Sequence, residues 1–238
     1  MSESFSKITY DENWYNAMMA VGEHFITGFH KLFYSSGAWG TIKWCGSGLL
    51  KNPFDIIIYQ EIIFDVKPDL IIELGTGMGG SALFMAQILD YLGNGKVISV
   101  DAFTEEEILK DTSLYKFKRP KHKRITYWKG KSCSPDIEKR IKKAAKSAKT
   151  ILLVLDSDHS MNNVLAEMWM YHSLVSKGSY MIVDDTNLNG YPVLPGYGPG
   201  PMEAVKAFFD ENDLFVIDKA KERLLLTQNS NGYLQRIK

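Results

Sequence analysis

Short apolar runs recur along the chain at near-even intervals, each ending in glycine or acid. Leu70–Leu74, Lys96–Asp101, Ile125–Lys129, Ile151–Asp156 and Tyr180–Asp184 have the length and β-branched content of strands buried on both faces. Between them, apolar residues at helical spacing predict helices over Ser81–Leu92, Ser134–Ala148 and Met161–Ser176. A further helix, Pro53–Val66, enters the first strand, and Pro201–Asp210 follows the last. Leu214–Asp218, Arg223–Gln228 and Tyr233–Ile237 read as short closing strands. This alternation predicts an α/β fold with a doubly wound, mainly parallel sheet and ligands at the strands' carboxyl ends.

Residues 1–52 break that rhythm. They are rich in aromatic and small residues, among them Trp14, Tyr15, Phe25, Phe29, Phe33, Tyr34, Trp39 and Trp44. Such a segment left free would expose too much apolar surface. It is expected to pack as an N-terminal helical cap over the cleft, against a neighbouring subunit, or both. The chain therefore divides into a cap and oligomerisation segment, 1–52, and a catalytic domain, 53–238.

The stretch Asp69-Leu-Ile-Ile-Glu-Leu-Gly-Thr-Gly-Met-Gly-Gly-Ser81 carries the first chemistry. Gly75, Gly77, Gly79 and Gly80 let the chain turn and let a ligand approach bare backbone. The helix opening at Ser81 then points its first amides at that ligand. Asp101 ends the next strand, where a carboxylate accepts both hydroxyls of a ribose. Gly75-x-Gly77-x-x-Gly80 formally satisfies the dinucleotide fingerprint. Two features oppose a dinucleotide. Glu73 stands at the mouth of the strand, where it repels a pyrophosphate and suits an ammonium or sulfonium group. The unit also lies behind a long N-terminal segment, whereas dinucleotide folds usually open with it. Glu-x-Gly-x-Gly-x-Gly with an acid closing the second strand resembles the S-adenosylmethionine site of class I methyltransferases. The expected cofactor contacts are Glu73, Gly75, Thr76, Gly77, Gly79, Ser81, Asp101, Ala102, Phe103, Gly130, Ser132 and Asp156.

Composition removes several alternatives. The 238 residues carry a formal net charge of zero, which argues against a nucleic-acid partner. The basic run over residues 138–149 reads as a solvated helix face, with Ile141, Ala144 and Ala145 on its buried side. Cys45 and Cys133 lack metal-ligand spacing and read as free thiols of a reducing compartment. Met1 to Asn13 is polar and no apolar run reaches membrane-spanning length, so no signal peptide or membrane span is expected. The expected location is the cytoplasm, and the expected state a homo-oligomer.

A second constellation is acidic. Ile151-Leu-Leu-Val-Leu-Asp156-Ser-Asp158-His159-Ser160 and Met181-Ile-Val-Asp184-Asp185-Thr-Asn187 are strands that end in paired carboxylates. In a doubly wound sheet the four acids converge on one rim, where they repel one another unless a cation is present. Hard oxygen ligands suit Mg²⁺. A chelated hydroxyl becomes more acidic, and His159 is the base candidate beside it. His159 and Asp156 are the expected catalytic residues. Asp156 is preferred to Asp158 as ligand because it directly ends the strand. Blander roles stand beside these: Asp158 or Ser160 capping the next helix, Asp185 holding an Asx turn, His159 orienting an acid.

Taken in order, Pro53-Phe-Asp-x-x-x-Tyr59-Gln-Glu-Ile-Ile, Glu73-x-Gly-x-x-x-Gly-Gly-Ser81, Leu155-Asp-Ser-Asp-His-Ser160, Val183-Asp-Asp-Thr-Asn187 and Gly198-Pro-Gly-Pro-Met-Glu-Ala204 resemble the cephalosporin hydroxylase / rhamnosyl O-methyltransferase family. The resemblance runs from about Trp39 to Phe215. It implies a Rossmann-like class I methyltransferase with a seven-stranded sheet, S-adenosylmethionine, and Mg²⁺ held by Asp156 (or Asp158), Asp184 and Asp185. Asp184 stands where the family often has Glu. His159 matches the base of related sugar O-methyltransferases. No iron or flavin motif supports oxygen chemistry.

Thr186 to Gly200 follows the acid pair and is too rich in Gly and Pro for regular structure. It reads as a lid, with Asn187, Tyr191 and Tyr197 facing a sugar or other hydroxylated acceptor. Two functions follow. One is a Mg²⁺-assisted O-methyltransferase acting on a sugar, saccharide or polyhydroxylated natural product. The other is a non-catalytic or partner-dependent accessory protein that keeps the fold.

Overall fold

The sheet is built around β3, whose five residues Leu70–Leu74 are all buried. The computed structural model describes residues 12–111 and 118–238, with side chains from Val21 onward, so Trp14 and Tyr15 lie outside the described side chains. Helix α1 (Glu12–Ser35) leads through a 3-10 turn at Ala38–Thr41 into a hairpin of β1 (Lys43–Trp44) and β2 (Ser47–Gly48). Helix α2 (Pro53–Val66) then begins where the hydrophobic pattern predicts. Asn52 caps it by accepting from the Phe54 amide at 3.1 Å, Pro53 presets the first turn, and Lys67 ends it in a left-handed conformation.

After β3 come α3 (Gly80–Leu92), β4 (Lys96–Asp101), α4 (Glu105–Asp111), β5 (Ile125–Lys129), α5 (Pro135–Ala145), β6 (Ile151–Leu155), α6 (Met161–Tyr171) and β7 (Tyr180–Val183). Helix α7 (Pro201–Glu211), β8 (Phe215–Ile217) and β9 (Tyr233–Arg236) complete the chain. The seven strands lie in the order β5-β4-β3-β6-β7-β9-β8. β3 to β7 pair in parallel, and β9 runs antiparallel between β7 and β8.

Strand alternation sorts β3 onto two cores. Leu70, Ile72 and Leu74 pack on one face with Ile137 and Ile141 of α5, Met168 of α6 and Phe208 of α7. Ile71 packs on the other with Ile58, Ile62 and Ile63 of α2 and Met85 and Leu89 of α3. Burying one such side chain stabilises by about 1.5–3 kcal/mol, which is why five apolar strands can be held parallel without local hairpins.

Two expectations need correction. Helix α6 stops at Tyr171 and passes through a 3-10 turn, His172–Leu174, instead of reaching Ser176. Ser176 is held elsewhere: its hydroxyl accepts from the Ile151 amide and donates to the Lys149 carbonyl, fixing the chain at the start of β6. Arg223–Gln228 forms no strand. Its polar groups serve α2: Thr227 Oγ1 and the Gln228 amide donate to Asp55, the Leu226 carbonyl accepts from Asn52, and Arg223 pairs with Glu61. Among the described residues, no helix is long and apolar enough to cross a membrane.

Candidate active site

β3 leads on to β4 on one side and β6 to β7 on the other, so the connections leave in opposite directions and a crevice opens at the carboxyl ends of β3 and β6, as a doubly wound sheet requires. Gly75 begins the turn after β3 at φ 102°, and a Cβ on it would lie 1.7 Å from the Asp156 carbonyl oxygen. Only glycine admits that approach, so the two strand ends that carry the chemistry touch through bare backbone. Gly80 allows a second contact, since a Cβ there would meet the Gly48 carbonyl at 2.2 Å. The hairpin before α2 therefore rests directly on the amino end of α3.

A cleft of about 500 Å³ follows this crevice, lined by Gly75, Gly77, Asp101, Ala102, Phe103, Gly130, Ser132 and Asp156 among the sequence-predicted residues. Val100, Lys131, Ser157 and Asn163 also line it and were not foreseen; Lys131 lies between two residues that were. Asp101 Oδ2 accepts from the amides of Thr76 (3.2 Å) and Gly77 (2.9 Å) and from Arg119 (3.1 Å). Its Oδ1 accepts from the Phe103 amide (2.9 Å). The glycine turn is thus tied to the acid at the end of β4.

Glu73, Thr76, Gly79 and Ser81 do not line the cleft. Glu73 is the member of this set expected to meet the cofactor's cation. Alternation turns its side chain beneath the turn, where it is fully buried and accepts from the hydroxyls of Ser81 and Ser99. Burial raises its pKa to about 7 against the opposing pull of those hydroxyls.

The acids separate into two groups. Asp156, His159 and Asp185 each offer a ligand atom, and these atoms lie within 4.8 Å of one another. His159 Nε2 is 3.2 Å from Asp185 Oδ2 and 4.0 Å from Asp156 Oδ1. Asp185 adopts φ 57°, a left-handed conformation costly for a non-glycine residue and common at functional sites. Asp184 does not join the trio. It is buried and accepts from Tyr59 (2.7 Å), Asn229 (2.5 Å) and the Lys51 ammonium (2.5 Å). Its carboxylate, expected as a metal ligand, is met here by protein donors, none of them near it in sequence. Asp158 is exposed at the cleft wall and accepts from the Ser160 amide at 2.9 Å, a local turn ahead of α6.

Burial pushes the Asp156 carboxyl up to about 7, opposed by Lys51, and raises that of Asp185 as well. For His159, burial acts against the charged ring, but Asp185, Asp156 and Asp184 together outweigh it and raise its pKa.

The loop after β7 folds back on itself, with the Val193 amide donating to Asn187 and that of Gly190 to Val193. Asn187 is fully buried and bonded through Nδ2 to His30 of α1 at 2.9 Å. Tyr197 remains half exposed, and its phenol is raised by burial and by the charges of Asp158 and Asp185. Lys206 of α7 bonds the Tyr191 hydroxyl at 2.9 Å and lies 4.5 Å from its ring centre. Tyr34 of α1, stacked on Trp39 at 5.6 Å, stands within the field of Asp185 and Tyr197. Lys51, Asn229 and His30 carry no sequence signal for this site, whereas Tyr59 belongs to a quoted family motif and Tyr34 to the expected cap, neither with a role assigned from sequence.

Five parallel strands with one antiparallel insertion, a glycine turn after the central strand and an acid ending its neighbour define the class I methyltransferase fold. The chain belongs to the rhamnosyl O-methyltransferase/CmcI family, whose model matches residues 36–237. It is 37% identical over 215 residues to the rhamnosyl O-methyltransferase of Mycobacterium tuberculosis, covering 87% of this chain and 83% of that protein. The Mycobacterium leprae rhamnosyl O-methyltransferase is 38% identical over 213 residues, 87% and 89% of the two chains. A CmcI structure with Mg and SAM superposes at a TM-score of 0.60 with 20% identity, over 84% of this chain and 78% of that one. That last likeness is one of fold.

Proposed function

We propose that the protein transfers the methyl group of S-adenosylmethionine to a hydroxyl of a sugar, a saccharide or a polyhydroxylated natural product, assisted by Mg²⁺. It is an S-adenosylmethionine-dependent O-methyltransferase by family. The observation that carries the reading is the position of Asp156: it lines the cofactor cleft and also belongs to the trio with His159 and Asp185. Donor and acceptor sites therefore share a wall, as direct transfer requires.

The residues fit both groups. The backbone cradle at Gly75 would be filled by any Cβ, and Asp101 Oδ1 has one amide donor, which leaves a lone pair for a ribose hydroxyl. Asp156 and Asp185 supply hard oxygen donors for Mg²⁺. When bound, S-adenosylmethionine supplies an electrophilic methyl group and Mg²⁺ makes a chelated hydroxyl more acidic. His159 Nε2 then takes the proton released as the acceptor oxygen is methylated, with Asp185 steadying the ring. Tyr34, Trp39 and Tyr197 supply aromatic faces for a sugar above the trio.

In this reading residues 1–52 are the cap and oligomerisation segment and residues 53–238 the methyltransferase domain. The enzyme works in the cytoplasm as a homo-oligomer, without a nucleic-acid partner. Support for self-association is an exposed apolar stripe on α1, Val21, Phe25, Phe29 and Leu32, together with an apolar hollow lined by Trp44, Phe64, Phe84, Ile88 and Tyr91.

The test is turnover with and without chelator. S-adenosylhomocysteine release on a panel of deoxyhexosides, glycolipids and polyhydroxylated aglycones is expected to stop in EDTA and return with Mg²⁺. Full turnover in EDTA sinks the metal-assisted reading.

A further inference from the structure

Arg119 holds the same two cleft residues that Asp101 holds. Asp101 accepts from the amides of Gly77 at 2.9 Å and Phe103 at 2.9 Å. The guanidinium donates to the carbonyls of those residues, through Nε to Gly77 at 3.0 Å and through Nη2 to Phe103 at 3.1 Å. Nη2 also donates to Asp101 Oδ2 at 3.1 Å, which closes two rings of contacts through one ion pair. Gly77 lies in the turn after β3 and Phe103 just beyond β4, and both line the cofactor cleft. One carboxylate and one guanidinium thus meet the amide and the carbonyl of each.

The arginine is itself braced. Its amide donates to Glu105 Oε2 of α4 at 2.8 Å, and the Tyr127 hydroxyl of β5 donates to the carbonyl of the next residue, Pro120, at 3.0 Å. The guanidinium carbon lies 5.8 Å from the centre of the Tyr127 ring. The side chains of Arg119 and Asp101 are 10% and 11% exposed, so water screens the pair little. Only a planar fork can serve an acid and two carbonyls at fixed angles, which a lysine ammonium does not reproduce. Arg119 is not among the residues lining the cleft and reaches it through Asp101, Gly77 and Phe103.

We infer that Arg119 is a positioning residue for the methyl donor, which fixes the Asp101 carboxylate between the glycine turn and the end of β4 so that it meets the ribose. The inference rests on the reading that Asp101 receives the ribose of S-adenosylmethionine. Without the guanidinium, the carboxylate keeps its amide donors, but its buried charge is unmatched. The carbonyls of Gly77 and Phe103 lose their donor in the same step. Asp101 is then free to turn, and a ribose hydroxyl gains less from it.

Calorimetry of the full chain with S-adenosylhomocysteine and its 2′,3′-dideoxy analogue tests this. The native protein is expected to bind the parent compound about tenfold more tightly than the analogue, the worth of a charged hydrogen bond. In Arg119→Met that ratio is expected to fall at least threefold. An arginine that merely supports the fold weakens both ligands alike and leaves the ratio in place, so a smaller fall overturns the inference. Should Arg119→Met fail to fold or to bind, Arg119→Lys keeps the charge without the fork. It is expected to lower the ratio at least twofold, and a smaller change overturns the inference too. A native ratio below threefold is a different failure: it takes the ribose away from Asp101 and overturns both readings.

Discussion

His30 and Asn187 join the N-terminal helix to the loop after β7 through a 2.9 Å hydrogen bond between two buried side chains. Burial lowers the His30 pKa from 6.5 to about 4, so the ring is neutral in the folded protein. A depressed folded pKa gives stability that is present above the unfolded value and is lost as pH falls through the folded one. Attachment of α1 is therefore expected to weaken between pH 6.5 and 4. Hydrogen exchange of α1 amides at pH 7 and pH 5 reads this, and His30→Gln, which keeps an acceptor without titrating, is expected to flatten the change. Equal loosening in both proteins at pH 5 counts against the assignment.

Asp101 is expected to decide cofactor affinity. Calorimetry is expected to show binding of S-adenosylmethionine and S-adenosylhomocysteine, with no measurable heat from NAD. Asp101→Ala, which removes an acceptor for a hydroxyl and for two amides of the glycine turn, is expected to cost about 1.5–3 kcal/mol, roughly ten- to hundredfold in Kd. Tight NAD binding contradicts the cofactor reading.

Substitution within the trio separates its roles. Asp185→Asn is expected to lower kcat far more than S-adenosylmethionine affinity, because a metal there meets the acceptor and not the donor. His159→Ala is expected to keep metal binding yet lose about 100- to 10,000-fold in kcat, the usual worth of a positioned base. Its residual rate rises with pH as the acceptor hydroxyl ionises unaided. Native rates in both variants reduce these residues to turn and cap formers.

Glu73 gives a pH dependence of opposite sign to that of His30. Its folded pKa of about 7 lies above the ordinary 4.5. A raised acid contributes stability that is present below the unfolded pKa and is lost as pH rises through the folded one. Glu73→Gln is expected to flatten the melting temperature between about pH 4.5 and 7 and to gain on the native protein above that range. A parallel pair of curves from pH 4 to 8 removes Glu73 from the pH response.

The periodic signals in the chain are legible where the burial is local. Pro53–Val66 matches its helix end for end because a cap, a proline and a run of isoleucines all act within it. Leu70–Leu74 matches because five apolar residues need two covered faces. Arg223–Gln228 forms no strand because its polar groups serve Asn52 and Asp55 at the start of α2, a demand set by residues far away in sequence. The acids end their strands where the sequence puts them, but the donors around Asp184 have no local signal: Lys51 is 133 residues from it, and no local pattern encodes that pairing. Glu73 shows the other limit, since the motif fixes its position but the pleat fixes which way it turns.

The antiparallel strand β9 lies between β7 and β8, and among the described residues β8 has no other strand beside it. During synthesis, then, β8 emerges before anything exists for it to pair with. The parallel strands β3 to β7 can assemble first, leaving β7 as a bare hydrophobic border until Tyr233–Arg236 leaves the ribosome and docks. That interval is when an unfinished molecule is most open to capture by chaperones or by the border of another nascent chain.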